Sequence, residues 1–270
     1  MCTLMFFQII ISIFLSAYLS IYFSMLNSNY YLMFLFIPFF IIFMILTLIL
    51  IIIYCDIVCL IINNKNHNYN KYADHLVKNL VTILLKILNV KVIKQNFDIV
   101  KDDNVLYVAN HVSNLDPIVF IKIFKNKLSV VSKPENFKIP FIGPIIKTAG
   151  YISINRNSPR EGAKAIFKAR DFLKNDICNV LIFPEGTRNK TDNILLEMKA
   201  GSLKPAFSSN KKIVVCSIHN TKNYKFKLFS HNVFIKAIKV LDPKDYESDV
   251  FAIKEIQNLI ENDLKQDNAR

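Results

Sequence analysis

The segment from Tyr107 to Pro117 reads Tyr-Val-Ala-Asn-His-Val-Ser-Asn-Leu-Asp-Pro. It begins as an apolar strand and ends in a polar turn that carries one histidine and one aspartate. A histidine at the end of a strand can titrate near neutral pH and take a proton from an attacking hydroxyl. It then needs a carboxylate on its other ring nitrogen, and Asp116 lies five residues after His111.

The pairing of these two side chains requires a bend, because positions five apart on a straight helix face directions about 140° apart. A purely structural interpretation of the segment therefore stays open. Asp116 is a typical N-cap, Pro117 suits the first turn of a following helix, and His111 can be an ordinary turn residue. From the spacing alone, this structural interpretation is favoured.

On both sides of this segment, β-rich runs alternate with helical ones. Apolar residues at helical spacing predict an amphipathic helix from Tyr72 to Leu88 and another from about Val250 to Leu264. Ser158, Pro159 and Glu161 form a capping box that predicts the start of a third helix. The alternation predicts an α/β domain with a single core. The predicted strands include Val90–Ile93, Val105–Ala109, Leu128–Val131, Val180–Phe183, Ile213–Ile218 and Val233–Val240.

The chain begins with a long uncharged segment. No Asp, Glu, Lys or Arg occurs before Asp56, which argues against a wholly water-soluble fold. Two apolar stretches, Leu4–Leu26 and Tyr31–Ile62, are separated by the polar link Asn27–Asn29. About 23 helical residues reach about 35 Å, enough to cross a hydrocarbon core of about 30 Å. The pattern predicts an N-terminal membrane-embedded two-helix hairpin, and hydropathy leaves open whether it spans the bilayer or dips into one leaflet.

These features predict a membrane hairpin anchor at 1–62, a polar connector at 63–71 and the α/β domain at 72–270. A cleavable signal peptide is excluded, because the start lacks a basic region and its long apolar run is followed at once by a second. Lys65 and Lys71 follow the second run. The positive-inside rule therefore predicts that the α/β domain lies at the membrane on the cytoplasmic side.

A second polar segment, Phe183–Asn189, follows another predicted strand and reads Phe-Pro-Glu-Gly-Thr-Arg-Asn. Gly186 allows the backbone to approach a ligand closely, while the Thr187 hydroxyl and the Arg188 guanidinium suit a phosphate monoester. The alternative is an ordinary turn with an Arg–Glu pair at the surface. A third segment, Gly150–Arg156, also ends a strand in a cation, which is common by itself.

Together, these segments resemble the four-motif pattern of the 1-acyl-glycerol-3-phosphate acyltransferase family, the glycerolipid acyltransferases with an H-x4-D motif. Asn110–Asp116 matches the first motif and Gly150–Arg156 the second. Phe183–Arg188 matches the third, in the form favoured by lysophosphatidate acyltransferases. Val214–Ile218 represents the fourth, with Cys216 in place of the usual proline. The resemblance implies the fold of that family, a mixed sheet flanked by helices.

The resemblance also implies a direct acyl transfer that forms phosphatidate. His111 would be the general base that deprotonates the free sn-2 hydroxyl of lysophosphatidate, and Asp116 would orient it. The oxygen would then attack the thioester of acyl-CoA or acyl carrier protein, with no metal or bound organic cofactor. The residues implied in binding the acceptor and its phosphate are Arg156, Glu185, Gly186, Thr187 and Arg188, and Lys133 is implied in contact with the phosphate or the donor.

The net charge of +13 fits this interpretation. Pro117–Asn175 alone contains 12 Lys and Arg against three Asp and Glu. Such a surface would attract anionic lipid headgroups, a phosphorylated acceptor and an acidic donor, although an ordinary solvated face is the alternative. Nucleic acid is not an expected partner, because no RNA- or DNA-binding motif accompanies the charge. Two other functions stay open: acylation of glycerol-3-phosphate or another lysophospholipid, and a catalytically silent membrane-tethered lipid-binding protein.

Overall fold

The chain divides into two compact units, Met1–Asn63 and Asn64–Arg270. The predicted boundaries of anchor, connector and α/β domain stay predictions. The structure, a computed structural model, describes residues 14–15, 17–19, 21–22, 25, 36–63, 69–101, 104–124, 127–140, 142–155, 158–222 and 230–268.

In the first unit, helix α1 runs from Phe36 to Asn63. Inside it, the Thr47 hydroxyl donates a hydrogen bond to the carbonyl oxygen of Phe43, four residues earlier (2.6 Å). Among the described residues, no helix is long and apolar enough to cross a membrane. The predicted link Asn27–Asn29 and most of the first predicted apolar stretch lie outside the described residues. The two-helix hairpin is therefore an unsupported prediction.

Two helices of the second unit begin directly after a residue whose side chain caps them. Asn70 precedes α2, and its side chain accepts hydrogen bonds from the N–H groups of Tyr72 and Ala73. Ser158 precedes α5, and its hydroxyl accepts from the Glu161 N–H (3.4 Å). The three predicted helices are confirmed as α2, α5 and α7. The helices of this unit in the described residues are α2 (Lys71–Ile87), α3 (Leu115–Ile123), α4 (Ile142–Thr148), α5 (Pro159–Lys174), α6 (Lys204–Ser209) and α7 (Asp249–Asn268).

The described strands form one sheet in the order β1-β7-β6-β2-β5-β3-β4. Among the described strands, β6 and β7 pair antiparallel and every other neighbouring pair is parallel. The α/β fold with a mixed sheet flanked by helices is thereby confirmed. The strands are β1 (Val90–Gln95), β2 (Leu106–Ala109), β3 (Leu128–Ser132), β4 (Ile152–Ser153), β5 (Asn179–Ile182), β6 (Ile213–His219) and β7 (His231–Leu241).

Strand β2 lies inside the sheet between two layers of helices. Leu106 and Val108 pack in a core with residues of α5, α6 and α7. Tyr107 points to the opposite face, where its ring contacts that of Phe120 in α3 (centroids 5.7 Å apart). Every residue of β2, β5 and β6 is buried. A strand that is covered on both faces needs a mainly apolar sequence, which explains why β2 is entirely apolar and why β5 and β6 carry only Asn179, Ser217 and His219 as polar residues.

The pairing of β2 with β5 and β6 aligns the carboxyl ends of these three strands. Val108 is aligned with Ile182 of β5 and with Val215 of β6. Because these strands are parallel, their carboxyl ends meet at one edge of the sheet, which is where ligands of open α/β sheets bind. The segments that follow β2, β5 and β6 therefore lie next to one another.

Candidate active site

His111 and Asp116 form a direct pair at the carboxyl end of β2. Nδ1 of His111 lies 2.8 Å from Oδ2 of Asp116. The same oxygen accepts hydrogen bonds from the backbone N–H groups of Val112 and Ser113, at 2.7 Å each. Asp116 is fully buried, whereas 14% of the His111 side chain is exposed. The Asp116 carboxylate is thus buried and held in one orientation, while the His111 imidazole that it contacts is accessible to a substrate.

The bend that this pairing requires is present. Residues 111–113 are not helical, and α3 begins only at Leu115. The structural interpretation, in which Asp116 serves as the N-cap, is wrong. Asn114 occupies the N-cap position, and the Asp116 carboxylate is turned back towards the three residues that precede Asn114.

The segment after β5 fixes the backbone and the ring of His111. The His111 N–H donates to Oε1 of Glu185 (2.6 Å), and the His111 carbonyl accepts from the N–H of Asn189 (2.7 Å). The imidazole stacks on the ring of Phe183, with centroids 4.3 Å apart and planes 22° apart. Since Asp116 engages Nδ1, Nε2 is the nitrogen left for proton transfer with a substrate.

Glu185 is buried, and both of its oxygens accept hydrogen bonds from the backbone. Oε1 accepts from His111 and Oε2 from the N–H of Leu196 (3.1 Å). Burial raises the pKa of Glu185 to about 7, although the two N–H groups act in the opposite direction. The carboxylate therefore joins the His111 turn to the chain around Leu196. Its predicted part in shaping the acceptor subsite stays a prediction.

The next three residues form an open turn. Gly186 has a φ of +72°, and a Cβ built there would lie 3.5 Å from Nζ of Lys199, so this position favours glycine. Thr187 is exposed and Arg188 is partly buried. Within the part of the chain that the structure describes, no carboxylate forms an ion pair with Arg188. Arg188 directly precedes Asn189, whose N–H bonds to the His111 carbonyl, and a guanidinium with no carboxylate partner among the described residues suits an anionic ligand.

Of the other two predicted cations, the structure describes Lys133 alone. Lys133 is exposed and directly follows β3, two strands away from β2, which corresponds to about 10 Å at the usual strand spacing. Arg156 lies outside the described residues. The chain before it is held beside β3 by a hydrogen bond from the Ile154 N–H to the carbonyl of Ser132 (2.9 Å). The roles of both cations stay predictions.

A mainly apolar groove of about 810 Å³ adjoins the His111 turn through Phe183. Phe183, which stacks on the imidazole, lines one end of it together with Pro184 and Gly186. Its other walls come from α5 and α6 and include Ile166, Phe167 and Phe207. A volume of this size is typical of a small-molecule site.

Two residues that hold the surroundings of His111 and Asp116 in place are missing from the predicted site. Asn110 forms two hydrogen bonds with the backbone of Ile218 in β6. The buried Thr221 donates its hydroxyl hydrogen to Oδ1 of Asp116 (2.5 Å). The signal that could have found Thr221 is its place just after an apolar strand, the same context that identified His111 and Glu185.

Known proteins of similar sequence assign the family. Residues 89–219 match the family model described as Acyltransferase. The 1-acyl-sn-glycerol-3-phosphate acyltransferase of Borreliella burgdorferi is 30% identical over 182 residues, which cover 64% of this chain and 72% of that protein. The chain belongs to the 1-acyl-sn-glycerol-3-phosphate acyltransferase family.

Other members of this acyltransferase family are similar to the chain over comparable lengths. The probable 1-acyl-sn-glycerol-3-phosphate acyltransferase of Mycoplasma genitalium is 30% identical over 199 residues, which cover 65% of this chain and 72% of that protein. The crystal structure of the acyltransferase PlsC from Thermotoga maritima has the same fold. It superimposes with a TM-score of 0.62 at 24% identity and covers 74% of this chain and 81% of that one.

Proposed function

We propose that this acyltransferase moves a fatty acyl group from acyl-CoA or acyl carrier protein to the sn-2 hydroxyl of lysophosphatidate and forms phosphatidate. The observation that carries the proposal is the 2.8 Å contact between His111 Nδ1 and Asp116 Oδ2. The names of the Borreliella and Mycoplasma relatives, which specify 1-acyl-sn-glycerol-3-phosphate, support this acceptor.

In the proposed reaction, His111 is the general base. The acceptor oxygen forms a bond to the thioester carbonyl carbon while its proton passes to Nε2 of His111. Asp116 keeps the proton on Nδ1 and stabilises the imidazolium that forms. The tetrahedral intermediate then breaks its C–S bond, and the proton on Nε2 passes to the departing sulfur.

Transfer is proposed to be direct, without an acyl-enzyme. Two cysteines in the second unit, Cys178 and Cys216, are completely buried. Burial raises the pKa of the Cys178 thiol to about 12, and it raises the pKa of Cys216 far above its usual value. A thiol that remains protonated is a poor nucleophile. These two residues therefore offer no alternative to attack by the acceptor hydroxyl.

Arg188 is proposed to hold the acceptor phosphate, with Gly186 and Thr187 shaping the subsite. Arg188 follows β5 at the edge where β2 delivers His111, and a guanidinium can hold a phosphate through two parallel hydrogen bonds. Arg156 and Lys133 are proposed as further cations for the phosphate or the donor. The apolar groove beside Phe183 suits an acyl chain, because its walls offer mainly hydrocarbon contacts.

The site is proposed to work at a membrane, on the cytoplasmic side. The support comes from the sequence: the start of the chain up to Cys55 is uncharged, and Lys65 and Lys71 follow it. A bilayer would supply the lipid acceptor, and the basic remainder would favour anionic headgroups. No metal or bound organic cofactor is part of the proposal.

The test is an acyl-transfer assay on membranes that contain the full chain. Labelled acyl-CoA or acyl carrier protein is offered with lysophosphatidate, glycerol-3-phosphate or a monoacylglycerol. We expect transfer to lysophosphatidate, and we expect His111→Ala to reduce it at least about 100-fold, as loss of a general base does. The control is His75→Ala, which removes an exposed histidine of α2 and should leave the rate unchanged.

The other outcomes are equally informative. Transfer that survives His111→Ala would overturn the mechanism, while transfer only to glycerol-3-phosphate would change the acceptor. Absence of transfer to every acceptor would favour a lipid-binding protein. Arg188→Ala should raise the lysophosphatidate KM about tenfold and affect the monoacylglycerol less, since that acceptor lacks the phosphate.

A further inference from the structure

We propose that Thr221, which lies outside all four sequence motifs and beyond the 89–219 match to the family, is a positioning residue for the catalytic pair. Its hydroxyl donates a hydrogen bond to Oδ1 of Asp116, across 105 positions in sequence. Both residues are completely buried. The inference rests on the proposed function, because it assigns Thr221 a role in the same proton transfer.

The two oxygens of Asp116 are held by different parts of the chain. Oδ2 accepts from Nδ1 of His111 and from two backbone N–H groups of the same turn. Oδ1 faces away from that turn and accepts from Thr221. A buried carboxylate oxygen without a donor is costly. Because a carboxylate is planar, a donor on Oδ1 also limits rotation of Oδ2 about the Cβ–Cγ bond.

The fold presents Thr221 at this point through β6. This strand runs parallel to β2, and the side chain of Asn110 continues the pairing beyond the last residues of β2. Its Oδ1 accepts from the Ile218 N–H (2.8 Å) and its Nδ2 donates to the Ile218 carbonyl (3.0 Å). Asn220 then adopts a φ of +65°, which turns the chain so that Thr221 reaches Asp116. Asn110, the residue before His111, thus holds strand β6 in place, and the segment after β6 supplies Thr221 as the donor to Asp116.

A positioning role predicts a specific kinetic signature. Thr221→Val keeps the shape of the side chain but removes the donor. We expect kcat to fall about tenfold or more, the rate change that corresponds to loss of one hydrogen bond to a charged group. The KM for lysophosphatidate should stay within about twofold, because Thr221 contacts Asp116 rather than the acceptor. Thr221→Ser restores the hydroxyl and should recover most of kcat.

The experiment measures kcat and KM for wild type, Thr221→Val, Thr221→Ser and Thr221→Ala, with melting temperatures of the same preparations. Ser129→Ala is the matched control. It removes a buried hydroxyl from strand β3, where Ser129 donates to the Gly150 carbonyl and not to Asp116. We expect Ser129→Ala to lower the melting temperature while leaving kcat unchanged.

Each outcome decides the proposal. If Thr221→Val fails to fold, the comparison of Thr221→Ser with Thr221→Ala isolates the hydroxyl, and equal kcat values would overturn the inference. A Thr221→Val enzyme with wild-type kcat, or with a kcat loss that Thr221→Ser does not recover, would also overturn it. In these cases the wild type still transfers acyl groups, whereas failure of the proposed function would leave the wild type itself inactive.

Discussion

At the scale of the residue, the Asn110 side chain lies between the N–H and the carbonyl of Ile218 and bonds to both. Only an amide can do this, because it carries one acceptor and one donor group at the same branch point. Aspartate has the same shape but would place an oxygen against the Ile218 carbonyl. Asn110 is 1% exposed, so water cannot replace the N–H donor that aspartate lacks.

We therefore expect Asn110→Asp to lower the free energy of unfolding by about 1–3 kcal/mol, the cost of a buried polar group left without its partner. Acyl transfer should fall as well, since β6 and Thr221 would be held less firmly against the His111 turn. Urea unfolding and the transfer assay measure the two effects. The control is Asn258→Asp at an exposed position inside α7, which should change the free energy by less than about 0.5 kcal/mol.

The residues of the site differ in how far the sequence could predict them. His111 and Asp116 are five positions apart, so the pair is a local feature of one turn and could be foreseen. Glu185 was assigned from its motif to the acceptor subsite, whereas its two oxygens bond to backbone N–H groups that no residue pattern identifies. Thr221 follows an apolar strand, as His111 does, but its contact with Asp116 could not be predicted, because that contact depends on which strand lies beside β2.

At the scale of the element, one carboxylate joins α7 to the sheet. Asp263 is 8% exposed and accepts hydrogen bonds from Ser217 (2.6 Å) and His219 (3.0 Å) of β6 and from Lys236 of β7. Burial by itself would raise the pKa of Asp263, but these three donors outweigh it and hold that pKa well below its usual range. The helix is thereby attached to the two strands that pair antiparallel.

The sign of the pH effect follows from that lowered pKa. The unfolded chain binds the Asp263 proton at a higher pH than the folded chain does. Its contribution to stability is therefore complete above the ordinary carboxyl pKa of about 4 and is lost as the pH falls below it. We expect Asp263→Ala to lower the free energy of unfolding by about 3 kcal/mol at pH 7, since it leaves buried donors unpaired.

The difference between wild type and Asp263→Ala should shrink steadily between about pH 4 and pH 2, as measured by urea unfolding at each pH. Glu261→Ala is the control on the same helix. Glu261 forms a surface ion pair with Lys265, which is worth about 0.3–0.5 kcal/mol. An Asp263→Ala loss as small as that of Glu261→Ala would contradict the buried attachment.

Helices whose start is marked by a nearby cap or by apolar spacing could be predicted from the sequence. The order of the strands in the sheet could not. The Ser158 cap and the apolar spacing of α2 lie within a few residues, so both helices begin close to their predicted positions. The order of the strands depends on pairing across long stretches of chain. The antiparallel pairing of β6 with β7 and the parallel pairing of β7 with β1 have no signal in the strands themselves.

At the scale of the whole molecule, charge is distributed unevenly. The start of the chain up to Cys55 has none, and the remainder carries the entire net charge of +13. If the chain works at a membrane as proposed, apolar insertion would involve the uncharged start and attraction to anionic headgroups would involve the basic remainder. Apolar insertion is insensitive to salt, whereas attraction to anionic headgroups is screened by it.

We expect the full chain to sediment with membranes and to remain there in high salt. Ile45→Arg with Ile49→Arg places two charges one turn apart on α1, and both side chains are exposed within the chain. Each arginine costs about 2.5–3.5 kcal/mol in hydrocarbon, so the double variant should shift to the soluble fraction. Phe251→Arg on α7 is the control and should sediment as wild type does. A wild-type chain that high salt releases would contradict an inserted anchor.

The long separation in sequence between Asp116 and Thr221 also means that the two residues are synthesised several seconds apart. A ribosome that adds about 5–20 residues per second needs about 5–20 seconds to make the 105 positions between them. During this interval the nascent chain has its histidine and aspartate but lacks the strand that steadies them. The uncharged start is synthesised before either, so the proposed anchor can find the bilayer first. The His111–Asp116 pair would then become active only after the chain has reached the bilayer. The order of synthesis would thereby keep the incomplete active site from reacting with the acyl donor.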